Sequence, residues 1–531
     1  MENVSQEEPP MPRTDAGEAR LPSSPSGRRM ITLALLVAMM VTAVEQLIVS
    51  PAMTTIISQL KGFEIFPWVT SAYLLAATVS TPIYGKLADL FGRKPVLLFG
   101  LALFSVGSVL SGLSNSMPQL IAMRTIQGLG AGAVGPIVLT MLGDMFTLKE
   151  RAQVQAIFSS VWGLSSIGGP LFGGYLTDRL GWRFVFLLCV PFAVTAILLL
   201  VYYVSEPRVE RSVAPIDWAG ALLLTGGLSS LLWVVLDGAR ASWPANIALL
   251  TASAVLLVSF VIREHHAADP ILPLDLMTRP VIGSSLIGSL FFGGILFGLE
   301  TFVPLFMQGV RGGNATSAGL ALMPLFLSWA ISVAFAARAL VHHGFRRAGM
   351  IGSALVVVGL SCLVWGASFP DWSRPAFIIG LAIVGTGMGP TSISFMLAIQ
   401  HAVTWGQRGV ATGAATFSRT IGGAVGVGLL GATLAWELSR RLATAGGSGI
   451  DIAAALRPES HRLLGPLQLS LVQNHLGLTL RDVYIQITLF AVISMVCSIW
   501  LPGKKATLSH QTTTEPEELE DQGLVVVASE M

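Results

Sequence analysis

The chain has 531 residues, of which 53% are hydrophobic and only 12% are charged, and its formal net charge is +2. Soluble globular domains carry roughly a quarter charged residues, so this composition excludes an ordinary water-soluble protein and indicates an integral membrane protein. The near balance of basic and acidic residues offers no polyanion-binding surface, and no nucleic-acid partner is expected. Cys189, Cys362 and Cys497 lie in apolar runs without paired spacing, so we expect neither a disulfide framework nor a metal site.

Apolar runs long enough to cross the hydrocarbon layer as helices recur along most of the chain. They are much longer than the strands of a membrane barrel, so we predict an all-helical protein. The first run is too long for a signal peptide and is expected to stay in the protein. The fourteen predicted spans are 30–57, 66–84, 95–113, 117–141, 152–176, 183–204, 216–236, 244–262, 281–307, 317–340, 347–368, 375–400, 409–435 and 482–501.

The distribution of Arg and Lys predicts the orientation of the chain. These residues concentrate in the loops on the side of the amino terminus, so both termini are predicted to be cytoplasmic, in a cell membrane. The tails 1–29 and 502–531 are rich in Pro, Ser, Thr and Glu and are predicted to be disordered. Residues 436–481, between the last two spans, are predicted to form one long external loop.

The loop between spans 2 and 3 contains Gly85, Asp89, Gly92, Arg93 and Lys94. The glycines permit a tight turn, and the charges lie at the membrane edge, where ion pairs can hold one packing of the helices. The segment resembles the cytoplasmic signature GxLaDrxGrkxxl of the major facilitator superfamily. The resemblance implies that Asp89 and Arg93 act as a charge-relay gate. A basic loop that only sets the topology is the alternative.

Span 4 carries Arg124, Gln127 and Gly128 on one helical face. An arginine in hydrocarbon is costly and is tolerated only where it faces protein or water. The segment is similar to the RxxQGxG motif of proton-driven facilitators, which implies a role for Arg124 in proton coupling. The alternative is an arginine that extends to the outer interface.

Span 5 is unusually rich in helix-breaking residues. In a membrane, small residues allow helices to approach closely, and a proline bends the helix. The segment resembles the antiporter motif gxxxGPxxGG of exporters in the same superfamily, and the inference of export rests on that resemblance. The residues concerned are Gly163, Gly168, Gly169, Pro170, Gly173 and Gly174.

Span 1 carries Glu45 deep within its apolar run. Burial disfavours the charged form of a carboxyl, so Glu45 is suited to binding and releasing a proton or to pairing with a cationic substrate. The stretch from Glu45 to Met53 is similar to the LDxTIVnvALP signature of the fourteen-helix drug/proton antiporters, with Glu where Asp is usual. A buried but inert glutamate is the alternative.

Two further charges are expected at membrane depth, Glu300 in span 9 and Arg419 in span 13. Intramembrane charges are functional candidates by default. The segment around Arg419 resembles the RqxGG segment of the fourteen-helix branch, whereas Glu300 could be an interfacial residue. Asp144 and Asp178 are expected to pair with neighbouring basic residues at helix ends.

The sequence also contains no motif for an ATP-driven motor or an enzyme. No GxxxxGK[ST] segment occurs, and no hydrolase or metalloprotease motif lies in a supporting context. We therefore expect no catalytic residues, metal or cofactor, and a proton gradient as the energy source.

Together the motifs and the span count identify a resemblance to the fourteen-helix drug/proton antiporter branch of the major facilitator superfamily. The implied fold has two six-helix bundles, at 30–204 and 263–501, with two helices inserted between them at 205–262. The implied function is proton-driven export of amphipathic, cationic small molecules by a monomer. Two alternatives remain: an exporter or flippase of a lipid, siderophore or self-made antibiotic, and a non-transporting sensor or scaffold.

Overall fold

The computed structural model describes residues 25–146, 148–204, 217–237, 242–266, 274–403, 407–445 and 466–503, and the structural statements below refer to those residues. The tails predicted to be disordered lie outside them, apart from 25–29 and 502–503. Residues 25–29 form the start of the first helix, so the prediction of disorder is wrong there. The side chains of a few described helical residues also lie outside the description. Asp144 is one of them, so the structure does not test its expected pairing with a basic residue.

The first six crossings form one run of helices. The first helix continues past its end through a 3₁₀ turn, Ser50–Ala52, and a short helix, Met53–Leu60. The sixth is preceded by a short helix, Arg183–Leu187. The helices are α1 Pro25–Ile48, α2 Pro67–Phe91, α3 Arg93–Gly112, α4 Met117–Met145, α5 Leu148–Arg179 and α6 Cys189–Tyr203.

Eight further crossings follow. The helical segment Ala315–Ser368 has non-helical backbone angles at Gly344, so we number the helices on either side of it separately. A π-turn, Phe306–Val310, extends the ninth crossing. The helices are α7 Trp218–Asp237, α8 Trp243–His266, α9 Pro280–Leu305, α10 315–343, α11 345–368, α12 Ser373–His401, α13 Arg408–Thr444 and α14 Pro466–Cys497.

The described residues therefore confirm the predicted all-helical fold with fourteen crossings. Within the described ranges, twelve segments are long and apolar enough to span a membrane by length and composition. The other two crossings, α2 and α5, are the ones that carry the loop-end motif and the glycine-rich motif. An even number of crossings places the start of α1 and the end of α14 on one face, here named the terminal face; the other is the distal face.

The predicted end of span 13 and the predicted start of span 14 are wrong. Segment 436–481 was expected to be a loop, but α13 runs to Thr444 and α14 begins at Pro466, so both ends of the segment are helical. The helices extend further than predicted because charged residues of the segment compensate each other's charges. Arg441 donates to Glu437 at 2.7 Å and to Asp482 at 2.6 Å, which joins the two helices through residues that the apolar pattern counts as loop.

Helices suit a lipid bilayer because they form their backbone hydrogen bonds internally, and lipid offers no hydrogen-bond partners to an exposed backbone. Several helices contain an internal proline, a residue that destabilises helices in water but is tolerated where neighbouring helices pack around it. The helices concerned are α2, α4, α5, α9, α10 and α12, with Pro82, Pro136, Pro170, Pro304, Pro324 and Pro390.

Helix packing divides the molecule into a first bundle, α1–α6, and a second bundle, α9–α14. The bundles meet mainly along two seams, α5 against α10 and α2 against α13. The inserted helices lie outside this arrangement: α8 packs chiefly on α7, and α7 packs on α2 and α13. The residues most buried between the bundles form one large apolar cluster that includes Phe66, Phe302 and Phe306.

The two bundles repeat a local feature at the same place. Gly92 separates the second and third helices of the first bundle with φ 97° and ψ 156°, and Gly344 separates the corresponding helices of the second bundle with φ 77° and ψ 165°. Positive φ strains any residue with a Cβ, so glycine is required at both turns. The shared geometry supports an internal structural repeat.

The α5–α10 seam closes the distal face. A Cβ on Gly174 would overlap the backbone oxygen of Ala315, and a Cβ on Gly319 would overlap that of Pro170. This close approach brings the Asp178 carboxylate over the start of α10. There it accepts hydrogen bonds from the backbone N–H groups of Ala315 at 3.1 Å and Thr316 at 2.8 Å.

Asp178 thus has a different role from the one predicted. It was expected to pair with a neighbouring basic residue, but it accepts from the first turn of a helix in the other bundle, including the Thr316 hydroxyl at 2.5 Å. A carboxylate at a helix N-terminus satisfies N–H groups that lack intrahelical partners and interacts favourably with the helix dipole. Asp178 therefore joins the two bundles.

We expect Gly174→Val to lower the thermal unfolding midpoint of the purified protein, because overpacking a tight contact costs about 1–3 kcal/mol. Gly163→Val is the matched control in the same helix, since a Cβ there meets nothing within 4 Å. Equal midpoints for the two variants would contradict the close α5–α10 contact.

Candidate functional site

The candidate site is centred on a buried ion pair in the first bundle. Glu45 of α1 is fully buried, and its Oε1 pairs with Nη1 of Arg124 of α4, which is 3% exposed. The structure therefore brings together two of the charges that the sequence places in hydrocarbon. Arg124 faces protein and does not extend to the interface, so that alternative is wrong for this structure.

A polar network fixes the guanidinium of Arg124. Its Nη1 donates to Gln127 Oε1 at 2.7 Å, and its Nε donates to the backbone oxygen of Val69 at 3.4 Å. Gln127 in turn donates from Nε2 to the Ser108 hydroxyl at 3.2 Å, and Ser108 donates to the Phe186 carbonyl at 2.7 Å. The pair is thus anchored to α2, α3 and the short helix before α6.

Tyr73 of α2 covers the guanidinium. The Cζ atom of Arg124 lies 4.1 Å from the centroid of the Tyr73 ring, a favourable cation–π distance. The glycine of the span 4 motif makes this possible, because a Cβ on Gly128 would overlap the backbone oxygen of Tyr73. The motif therefore supplies the charge and also the close helix contact that positions an aromatic ring over it.

The two carboxylate oxygens of Glu45 differ in their contacts. Oε1 pairs with Arg124, whereas Oε2 is buried and has no hydrogen bond of normal geometry within the described residues, although Tyr73 lies in electrostatic contact with the carboxylate. A buried carboxylate oxygen without a donor is costly, so the ion pair with Arg124 must offset most of the desolvation of Glu45.

A small central cavity of about 20 Å³ lies next to the pair, room for about one water molecule. Arg124 and Tyr73 line it from the first bundle, and Glu300 and Thr301 line it from the second. Glu45 does not belong to the lining, and it lies behind Arg124 and Tyr73. The centre of the molecule is therefore nearly closed in this state.

The structure also brings Glu300 and Arg419 near each other, in the second bundle. Glu300 is 5% exposed, so it is a buried residue and not an interfacial one. It lies within electrostatic contact of Arg419, without a direct ion pair between them in the described residues. Arg419 lines a second cavity of about 20 Å³ together with residues such as Phe292 and Thr416.

Four glycines of the span 5 motif differ in what they contact. A Cβ on Gly169 would come within 2.8 Å of Leu47 in α1, and one on Gly173 would overlap the backbone oxygen of Ile48. In contrast, Gly163 and Gly168 approach no other helix within 4 Å. The motif therefore holds α5 against the helix that carries Glu45, two to three residues after that carboxyl.

The loop-end motif lies away from the ion pair. Gly92 forms the turn, and Lys94 donates to the backbone oxygens of Val204 at 2.6 Å and Val201 at 3.1 Å, at the end of α6. Lys86 lies in electrostatic contact with two acids, Asp89 of the same helix and Glu264 of the inserted helix α8. No close neighbour restricts Gly85. The motif thus ties α3 to α6, while the gating role of Asp89 and Arg93 stays a prediction.

Sequence reasoning missed Tyr73, Ser108 and the contact made by Asp178. Hydroxyl residues occur in many of the spans, so nothing marks Ser108. The chain has only six tyrosines, and the rarity of a tyrosine deep within a span was the available signal for Tyr73. Its position over Arg124 depends on helix packing, which no local pattern specifies.

We expect Arg124→Gln to destabilise the protein more than the double variant Arg124→Gln/Glu45→Gln. Removing one partner of a buried ion pair leaves an uncompensated charge, which costs about 3–5 kcal/mol, whereas the double variant leaves two neutral amides. Thermal unfolding of the two purified proteins in detergent measures the difference. A double variant that loses the sum of both single losses would show that the two residues do not interact.

Comparison with known proteins gives concordant results. Residues 32–427 match the family model described as Major Facilitator Superfamily. The chain is 35% identical to the multidrug transporter protein MdtP of Bacillus subtilis over 415 residues, covering 77% of this chain and 76% of that one. It is 33% identical to multidrug resistance protein 3 of the same organism over 406 residues, covering 76% and 79%.

Solved structures agree on the fold. The chain resembles a bacterial homologue of the human lysosomal transporter Spinster, solved in an inward-facing and unoccupied conformation, with a TM-score of 0.65 and 16% identity. The match covers 90% of this chain and 98% of that one. Together with the family model and the relatives, the fourteen helices in two bundles establish that this chain is a member of the major facilitator superfamily, with relatives in its multidrug efflux branch.

Proposed function

We propose that the protein is a proton-coupled exporter, a drug/proton antiporter that moves amphipathic, cationic small molecules by alternating access. The observation that carries the proposal is the buried Glu45–Arg124 ion pair beside the central cavity. The names of the relatives from Bacillus subtilis support the drug-export part. The proton gradient supplies the energy, without a cofactor, and one chain contains both bundles that alternating access needs.

The ion pair offers a simple exchange of charges. When Glu45 is ionised, its charge cancels that of Arg124, and the cavity that Arg124 lines can admit a cation. When Glu45 takes up a proton, the guanidinium is left uncompensated and repels a cation in the cavity. Proton and substrate therefore exclude each other. Glu45 need not line the cavity for this, because two charges a few ångströms apart interact strongly in a low-dielectric interior.

The energetics constrain the exchange. One pH unit supplies about 1.36 kcal/mol per proton, and 100 mV supplies about 2.3 kcal/mol per net charge moved. Exchange of one proton for one monovalent cation moves no net charge, so that stoichiometry draws on the pH difference alone.

The closed distal face fits one state of such a cycle. Asp178 and the glycine contacts of the α5–α10 seam hold the bundles together on that face. With both termini in the cytoplasm, as we propose, this state is closed toward the outside. Opening toward the outside then requires the Asp178 hydrogen bonds to α10 to break.

We expect Glu45→Gln to abolish pH-driven transport of ethidium in proteoliposomes, because a permanently neutral side chain does not exchange protons. The measurement is dye movement under an imposed pH gradient, compared with wild type. Glu437→Gln is the control: this acid is also buried, but it pairs with Arg440 and Arg441 at the end of α13, away from the cavity.

Each outcome has a defined meaning. Retained pH-driven transport in Glu45→Gln would contradict the coupling role of Glu45. Absence of ethidium movement in wild type and both variants would favour the alternative cargo, a specific lipid, siderophore or self-made antibiotic. Absence of movement for those cargoes as well would favour a sensor or scaffold.

A further inference from the structure

The first helices of the two bundles, α1 and α9, share the position of a buried glutamate and an irregular segment after it. Helix α1 begins at Pro25 and carries Glu45 twenty residues later, and α9 begins at Pro280 and carries Glu300 twenty residues later. Each helix then becomes irregular shortly after its carboxyl residue, α1 through the 3₁₀ turn Ser50–Ala52 and α9 through the π-turn Phe306–Val310. Glu300 is therefore the counterpart of Glu45 in the second bundle.

The two irregular segments contact each other across the bundle interface. The Ser50 hydroxyl donates to the backbone oxygen of Glu300, and Gln308 Nε2 donates to the backbone oxygen of Pro51 at 2.9 Å. These bonds hold the two carboxyl-bearing helices together at the central cavity. The two acids thus lie on opposite sides of the same interface.

The surroundings of the two carboxylates differ. Glu45 is held by Arg124 and does not line the cavity, whereas Glu300 lines it. Across the described part of the chain, the Glu300 side chain forms neither a hydrogen bond nor an ion pair; Arg419 of α13 contributes only a longer-range attraction. A buried carboxyl group without a partner is costly in its charged form, so it is stable either as the neutral acid or with a cation beside it. A cation entering the cavity would stabilise the charged form.

Apart from Arg124, whose charge Glu45 compensates, the rest of the cavity lining suits an amphipathic cation. Polar groups come from Gln46 and Thr70, and apolar or aromatic surface comes from Met53, Tyr73 and Phe297. Aromatic rings stabilise organic cations, and methionine adapts to irregular shapes. At about 20 Å³ the cavity must widen to admit a drug-sized molecule, and it lies where the two bundles can separate.

We propose that Glu300 is the specificity-determining residue that contacts the positive group of the substrate, while Glu45 acts one layer behind it through Arg124. This assignment rests on the proposed function, since it names which of the two carboxylates recognises the cation. Glu300 then selects for charge, and Glu45 couples that selection to the proton.

The test is equilibrium binding of tetraphenylphosphonium, a permanent organic cation, and of triphenylphosphine oxide, its uncharged relative, to the full-length purified protein. We expect Glu300→Gln to weaken binding of the cation by about tenfold or more, without a comparable change for the uncharged compound. Glu437→Gln controls for loss of a buried acid elsewhere.

Unchanged cation binding by Glu300→Gln, or an equal loss for both compounds, would overturn the assignment. If Glu300→Gln does not fold, Glu300→Asp serves instead, because it keeps the charge but moves it by about one methylene; it must weaken the cation more than the uncharged compound. A wild type that binds no tetraphenylphosphonium would contradict the cationic substrate class itself, which separates failure of the proposed function from failure of this assignment.

Discussion

The architecture of the central region depends on one constraint, the cost of burying the charges of Glu45 and Arg124. Each charge is tolerated because the other compensates it, and the guanidinium is further fixed by Gln127 and by the ring of Tyr73. These contacts draw α1, α2 and α4 to one point. A proton that neutralises Glu45 therefore changes the force that holds three helices together, which makes the pair suited to couple proton binding to movement.

Close backbone contacts connect the ion-pair helix to the bundle interface. Gly169 and Gly173 bring α5 against α1 just beyond Glu45, and Gly174 brings the same helix against α10 of the second bundle. One helix thus contacts both the ion-pair helix and the seam on the distal face. The glycine-rich motif and the charged residues are separate patterns in the sequence, but in the structure they lie on helices that contact each other directly.

The fold was largely predictable because lipid imposes a simple length and composition rule on each span. Glu45, Arg124, Glu300 and Arg419 were predictable for a related reason, since charge in hydrocarbon is rare. Their pairing was not, because it depends on which helices meet. The end of α13 was missed because Arg441 carries its own compensation in Glu437 and Asp482, and no apolar pattern records such a network.

The most direct measurement of the coupling role of Glu45 is the number of protons released when tetraphenylphosphonium binds, obtained by calorimetry in buffers of different ionisation enthalpy. If substrate and proton compete through the ion pair, binding of the cation to wild type displaces the proton of Glu45. The number of protons released per bound cation then approaches about one at a pH where Glu45 of the unoccupied protein is protonated. Glu45→Gln, which resembles the protonated state, then binds the cation more weakly and releases no proton. Equal proton release by wild type and Glu45→Gln would contradict the account.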